Sequence, residues 1–216
     1  MKLNGVGIVG LTVNCGTYDL LKTACASIWE HYPELEVIVV DNLATMAPRH
    51  SRIIHLPTGE NIGHGPGICK GMHKSRADVV FLFDTDIVMN KPMLEPALEA
   101  ATGDWYGVGK CKSDTSLNQR LRLGVDVKYL EPYACLLNRF KFFDYRPPTD
   151  HGMPMIAPMV DIAKKKDDVL VDFDIDEYVE HLKRGTFDKM GRKASYDSKE
   201  RAISSAGRSI WSEECF

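Results

Sequence analysis

Two aspartates, Asp84 and Asp86, stand on either side of Thr85, directly after the apolar run Val79-Val80-Phe81-Leu82-Phe83. Carboxylates this close repel each other unless one keeps its proton or a cation sits between them. A hard divalent ion that retains water and phosphate oxygens as further ligands is the usual solution. The spacing therefore suggests a metal-bound diphosphate, although a solvated strand end or a helix N-cap would carry the same pattern. A second candidate is Asn61-Ile62-Gly63-His64-Gly65-Pro66-Gly67, where backbone amides at a helix start can approach an anionic or sugar ligand closely. It is neither a Walker loop nor a GxGxxG fingerprint, and a turn needed only for chain direction fits it equally. A third is His181, followed by Lys183-Arg184-Gly185-Thr186. A neutral imidazole can complete a metal shell beside carboxylates, and the two cations can meet phosphates; a structural histidine and solvated charge are the plainer readings.

These residues need a scaffold, and the pattern of the first half supplies one. Apolar runs predict strands at Val6–Val13, Leu35–Val40, Ser51–Leu56 and Val79–Phe83, with helices at Tyr18–Tyr32 and Gly65–Ser75 between them. Unbroken β-branched and aromatic runs belong to strands covered on both faces, and this order of elements argues for a doubly wound, mostly parallel α/β sheet. Ligands of such sheets gather at the carboxyl ends of the strands. Asp41 ends the second long strand as Asp84 ends the run before Thr85, so both can face one nucleotide-sized cleft.

The second half is less regular. A helix is expected at Met93–Ala101, strands at Trp105–Gly109 and Tyr133–Leu137, and a helix capped by Thr149 or Asp150 running from Gly152 toward Lys166. Val169–Ile175 alternates apolar and acidic residues as a half-exposed strand would, and Asp172, Asp174 and Asp176 at period two around Phe173 and Ile175 predict a solvent-exposed strand face and not a second metal site. Trp105, Tyr106, Trp211 and Phe216 suit either the core or an acceptor contact. From Arg184 onward the chain is rich in Lys, Arg, Ser and Gly with little periodicity.

The 216 residues are 44% hydrophobic and 26% charged, enough for one buried core and short for two independent domains. With 27 basic against 30 acidic residues the net charge is -3, so neither nucleic acid nor an anionic membrane is indicated by global charge. The six cysteines include no CxxC pair and read as reduced thiols. No apolar stretch is long enough to span a bilayer and no secretory signal opens the chain. A soluble, cytoplasmic protein is expected, with peripheral membrane contact compatible.

Taken in order from about Val6 to Thr186, these motifs resemble a family 2 glycosyltransferase of the GT-A fold. Leu11-Thr12-Val13-Asn14-Cys15 with Asp19-Leu20-Leu21-Lys22 and Ser27-Ile28 resembles the family's first strand and helix. Val37-Ile38-Val39-Val40-Asp41-Asn42 is similar to its "ivvDN" segment, whose aspartate contacts the donor base. Glu60-Asn61-Ile62-Gly63 with Gly67-Ile68 and Gly71 resembles the "NxGxxxgxNxG" stretch, Phe83-Asp84-Thr85-Asp86 the metal-binding DxD, and His181 with Gly185-Thr186 the late "H...GS" element. The usual Thr-Tyr-Asn after the first strand is replaced by Asn14-Cys15-Gly16, and the Glu-Asp pair of the acceptor-side helix is reduced to Thr149-Asp150.

The resemblance implies a single GT-A domain: a Rossmann-like nucleotide-sugar-binding half at 1–90, an acceptor half at 91–183 and a C-terminal extension at 184–216. It implies inverting transfer from a nucleotide diphosphate sugar, with UDP the expected nucleotide, to a hydroxyl of a carbohydrate or glycoconjugate. Mn2+ or Mg2+ would be held by Asp86 with Asp84 and His181. Asn14 and Asp41 would hold the base, and Asn61, Gly63 and Gly67 the ribose or sugar. Asp84 and Thr85 belong to the donor site, and Lys183 and Arg184 would meet the diphosphate. Asp150 is the expected catalytic base, with Asp144 and Glu131 behind it. Two other readings stay open at this point: a catalytically silent nucleotide- or sugar-binding module, and a nucleotidyltransferase. The latter would want a basic residue in Asn14-Cys15-Gly16-Thr17, which has none.

Overall fold

The structure, a computed structural model, describes residues 1–43, 50–113, 125–149 and 153–182. Strands β1 (Lys2–Leu3), β2 (Val6–Asn14), β3 (Val37–Asp41), β4 (Ile53–Pro57) and β5 (Val79–Phe83) alternate with helices α1 (Tyr18–His31) and α2 (His64–Lys74). β6 (Ile87–Met89), α3 (Leu94–Ala100), β7 (Gly107–Ser113), β8 (Lys128–Asn138), α4 (Arg139–Phe142), α5 (Ile156–Lys165), β9 (Leu170–Asp172) and β10 (Val179–His181) follow. The main sheet runs β4-β3-β2-β5-β8-β7-β9, with β1 paired to β2 outside that path. β2, β3, β4 and β5 are mutually parallel, as expected, whereas β8 enters antiparallel between β5 and β7. β6 and β10 form a separate two-stranded antiparallel ladder.

Alternation along each central strand feeds two cores. Val79, Phe81 and Phe83 of β5 join Val37 and Val39 of β3 beneath Leu21, Ala24, Cys25 and Ile28 of α1. Val80 and Leu82 join Ile38 and Val40 on the other face, against Ile68 and Met72 of α2 and Met159 and Val160 of α5. All five residues of β3 and of β5 are buried, which is why their sequences read as continuous apolar runs.

Two expectations for the second half are corrected. The last long helix starts at Ile156, with Met155 and not Thr149 or Asp150 at its N-cap. Pro158 explains the late start: it has no N–H to give a helix begun at 152, but sits harmlessly among the first residues of one begun at Ile156. The strand expected through Ile175 ends at Asp172, and Ile175–Glu177 forms a 3-10 turn that Asp174 caps by accepting from the Asp176 N–H at 3.2 Å. Trp105 and Tyr106 are core residues, while Trp211 and Phe216 lie outside the described residues. Among the described residues, no helix is long and apolar enough to cross a membrane.

α2 reaches β2 only because its facing residues are glycines. A Cβ on Gly71 would come to 2.1 Å from Leu11 Cδ1 and 3.1 Å from its Cγ. Alanine would gain about 1 kcal/mol of helix propensity, but Leu11 is fully buried and overpacking costs about 1–3 kcal/mol. Gly71→Ala should therefore lower the urea midpoint, with a net loss of up to about 2 kcal/mol; a raised midpoint would refute this close-packing account.

Candidate active site

The carboxyl edge of the parallel strands collects the predicted residues. Asn14 ends β2 and pairs in register with Asp41 at the end of β3, while Asp84 follows β5. The chain then passes through Thr85 and Asp86 straight into β6. β10 lies antiparallel to β6 with His181 opposite Ile87, and the Leu182 N–H donates to the Asp86 carbonyl at 2.9 Å. That register sets the His181 imidazole beside the carboxylates. Its Nε2 is 3.3 Å from Asp86 Oδ1 and 4.0 Å from Asp84 Oδ2. One ligand atom from each of Asp84, Asp86 and His181 lies within 4.8 Å of the others. Two carboxylate oxygens and one imidazole nitrogen suit a divalent ion of the Mn2+ type.

The protonation of the cluster follows from its crowding. His181 is raised above its ordinary value, first by its hydrogen bond to Asp86; burial opposes this, and the charges of Asp86, Asp84 and Glu131 add to it. Desolvation raises Asp84, the His64 and His181 charges pull it down and Asp86 pushes it up. His64, the first residue of α2, stands 3.6 Å from Asp84 Oδ1, whereas His181 faces Oδ2.

A hydrogen-bond chain ties this cluster to the end of β3. The Thr85 and Thr17 hydroxyls meet at 3.0 Å, Thr17 donates its hydroxyl to Asn14 Oδ1 at 3.0 Å, and the Asn14 amide donates to Asp41 at 3.2 Å. Asp41 also accepts from the Tyr18 hydroxyl and faces His55 Nε2 at 3.0 Å. Its side chain is fully buried. Burial pushes the carboxyl up, but the hydrogen bonds from Tyr18, His55, Asn14 and the Leu43 backbone outweigh it and leave the acid below its ordinary value. Asp41 is thus an ionised acceptor set in a ring of donors.

The glycine loop divides its labour. Gly63 takes φ 100°, a conformation that favours glycine. Its N–H is held by Asn61 Oδ1 at 3.1 Å and its carbonyl by the Asn42 amide at 3.2 Å. Asn61 is exposed. Gly67 lies inside α2, where an added Cβ would meet Val13 at 2.8 Å, so helix packing accounts for it without a ligand. Asp150, Lys183 and Arg184 lie outside the described residues. Of the other acids, Glu131 is close enough to act on His181, whereas Asp144 follows α4 at the opposite edge of the sheet and pairs with Lys141.

Tyr18 and His55 gave no sequence signal, since each is a lone residue outside a recognisable spacing, and nothing in the glycine loop that holds His64 marks it as a neighbour of Asp84. The β6–β10 ladder could have been suspected from Ile87-Val88-Met89 and Val179-Glu180-His181, two short segments of strand-forming residues.

Residues 8–159 match the sequence profile of glycosyl transferase family 2. No curated protein matches the chain. Among solved structures, the chain is similar to the mannosyltransferase PcManGT from Pyrobaculum calidifontis, in complex with GDP-Man and Mn2+. The identity is 17% and the TM-score 0.55, covering 98% of this chain and 67% of that one. It is also similar to S. aureus TarS in complex with UDP-GlcNAc, at 15% identity and TM-score 0.58, over 96% of this chain and 68% of that one. Glucosyl-3-phosphoglycerate synthase from Mycobacterium tuberculosis, with Mn2+, UDP and glucosyl-3-phosphoglycerate, matches at 16% identity and TM-score 0.63, over 94% of this chain and 81% of that one. At these identities the likeness shows the shared GT-A fold.

The raised pKa of His181 gives a pH test. Its ordinary value is 6.5, so in the metal-free protein the imidazolium–carboxylate contact contributes fully below about pH 6.5 and is lost as pH rises through the higher folded value. A divalent ion using the same nitrogen competes with that proton. Between pH 6 and pH 8 the metal-free melting temperature should fall relative to that of His181→Ala, while the upward shift produced by Mn2+ should grow. Melts at several pH values with and without Mn2+ check both trends, and a Mn2+ shift that shrinks with pH counts against ligation by His181.

Proposed function

Since this chain belongs to glycosyl transferase family 2, and is a glycosyltransferase by that membership, we propose that it moves a sugar from a nucleotide diphosphate donor to an acceptor hydroxyl with inversion at the anomeric carbon. The observation that carries this reading is the convergence of Asp84, Asp86 and His181 at the strand edge, joined by hydrogen bonds to the buried carboxylate of Asp41.

In this reading Asp41 accepts from an imide N–H of the donor base. Asn14, Tyr18 and His55 keep it ionised and fixed, so the base meets an acceptor already oriented. Uracil offers one such N–H, which favours UDP-sugars. Asn61 and Gly63 lie where the loop enters α2 and serve the ribose or sugar. Asp86, with Asp84 and His181, holds the divalent ion, which when bound supplies charge neutralisation for the departing diphosphate. Lys183 and Arg184, next along the chain after β10, add charge-assisted hydrogen bonds to the phosphate oxygens.

Transfer then needs little further chemistry. The acceptor oxygen attacks the anomeric carbon from the face opposite the diphosphate. The carbon–oxygen bond to the β-phosphate breaks, its electron pair leaves with the nucleoside diphosphate, and the acceptor's proton passes to a carboxylate. Asp150 is the base we assign to that proton. The acceptor is a carbohydrate or glycoconjugate hydroxyl.

Two variants separate the roles. Asp86→Ala should abolish Mn2+-dependent release of nucleotide from a panel of UDP- and GDP-sugars. Retained metal-dependent turnover would remove Asp86 from the metal site, and donor binding without nucleotide release by the wild type would mark a silent module instead. Asp150→Asn should keep donor affinity in a thermal shift while transfer falls by at least about a hundredfold, the scale of general-base catalysis; normal turnover would put the base elsewhere.

A further inference from the structure

Tyr133 of β8 touches both halves of the metal-ligand cluster. Its carbonyl accepts from the Asp84 N–H at 2.9 Å. Its ring lies against the His181 imidazole with centroids 4.7 Å apart and 3° between the planes. Its hydroxyl donates to Asp176 Oδ1, and the other oxygen of Asp176 takes the Lys110 ammonium. Only 6% of Tyr133 is exposed, so the ring is itself held on its remaining sides by the core around Phe83 and Ile175.

This arrangement answers a mechanical problem. β10 is three residues long, has one pairing partner, and carries His181 at its last position. A histidine so placed would be free to turn about its side-chain bonds, and ring orientation decides whether Nε2 faces the carboxylates. The parallel stack removes that freedom, because rotating the imidazole away from Asp86 breaks the ring contact. The Tyr133 ring is pinned in turn at its far end by Asp176. Asp176 belongs to the 3-10 turn that leads into β10, so one side chain ties the ligand strand, its approach and β8 together.

Resting on the metal reading given above, we propose that Tyr133, anchored by Asp176 and Lys110, is the positioning residue that fixes the His181 imidazole for metal ligation. It touches neither substrate nor metal and acts only through His181. Partners of this kind behind a metal ligand commonly change affinity by 10- to 100-fold when removed.

The test is a Mn2+ titration of the full chain, following the free aquo ion by electron paramagnetic resonance, with circular dichroism as the folding control. Tyr133→Leu should weaken Mn2+ binding by about tenfold, and Tyr133→Phe and Asp176→Ala, which keep the stack and lose only the anchor, by less than that. A residue supporting the fold generally would weaken binding whether or not His181 were present. In a His181→Ala background, each of these changes should therefore have no further effect. Should Tyr133→Leu fail to fold, the Tyr133→Phe and Asp176→Ala variants carry the same cycle. Undiminished binding in the single variants, or the same loss repeated without His181, overturns the proposal while leaving the metal site standing. Absence of Mn2+ binding by the wild type overturns the metal reading and this proposal with it.

Discussion

The repulsion between two carboxylates at the end of a buried strand is the constraint around which the active edge is built. β5 is covered on both faces and delivers Asp84 and Asp86 to a place where neither can be fully hydrated. Such a pair is unfavourable unless positive charge or donors come to it. The fold brings them from distant parts of the chain. His64 arrives on α2 and His181 on β10, so that Asp84 lies between two imidazoles and Asp86 faces one of them. The same imbalance that asks for cations in the metal-free protein is what a divalent ion would satisfy.

A second buried carboxylate is treated differently. Among the described residues, Asp41 faces the His55 imidazole and is otherwise surrounded by the Tyr18 hydroxyl and the Asn14 amide. The chain of hydrogen bonds from Asp41 through Asn14 and Thr17 to Thr85 spans the ends of three adjacent parallel strands. Buried hydrogen-bonded networks of this sort are rigid because any member that turns away leaves a partner unsatisfied. The distance between the two acidic sites is thereby set by the strand ends together with the hydrogen-bonded turns that follow β2 and β5.

Much of this was legible in the sequence because it lives on the strands. Val79–Phe83 and Val37–Asp41 announce themselves as unbroken apolar runs, and their terminal acids follow without further argument. What was hidden depends on tertiary pairing. Three-residue strands such as β6 and β10 carry too little pattern to give a register, yet that register alone places His181. The acidic residues at 172, 174 and 176 misled because period two was extended past the real strand end. Asp172 instead accepts from the Cys111 N–H, Asp174 caps a turn and Asp176 holds Tyr133. Tyr133 itself reads as one more residue of an apolar strand, and nothing local reveals the ring it supports.

The placement of His181 also links the site to the stability of its own scaffold. A two-stranded ladder is marginal by itself. The Asn90 N–H extends this one by donating to the Tyr178 carbonyl at 2.7 Å, and the Met89 N–H secures it to the main body by donating to Ser27 of α1 at 3.0 Å. A ligand ion shared by Asp84, Asp86 and His181 would add a tie between the end of β5 and the last described strand, across nearly a hundred residues of chain. Binding energy gained there stabilises the ladder by mass action, and the ladder's order in turn sets the affinity.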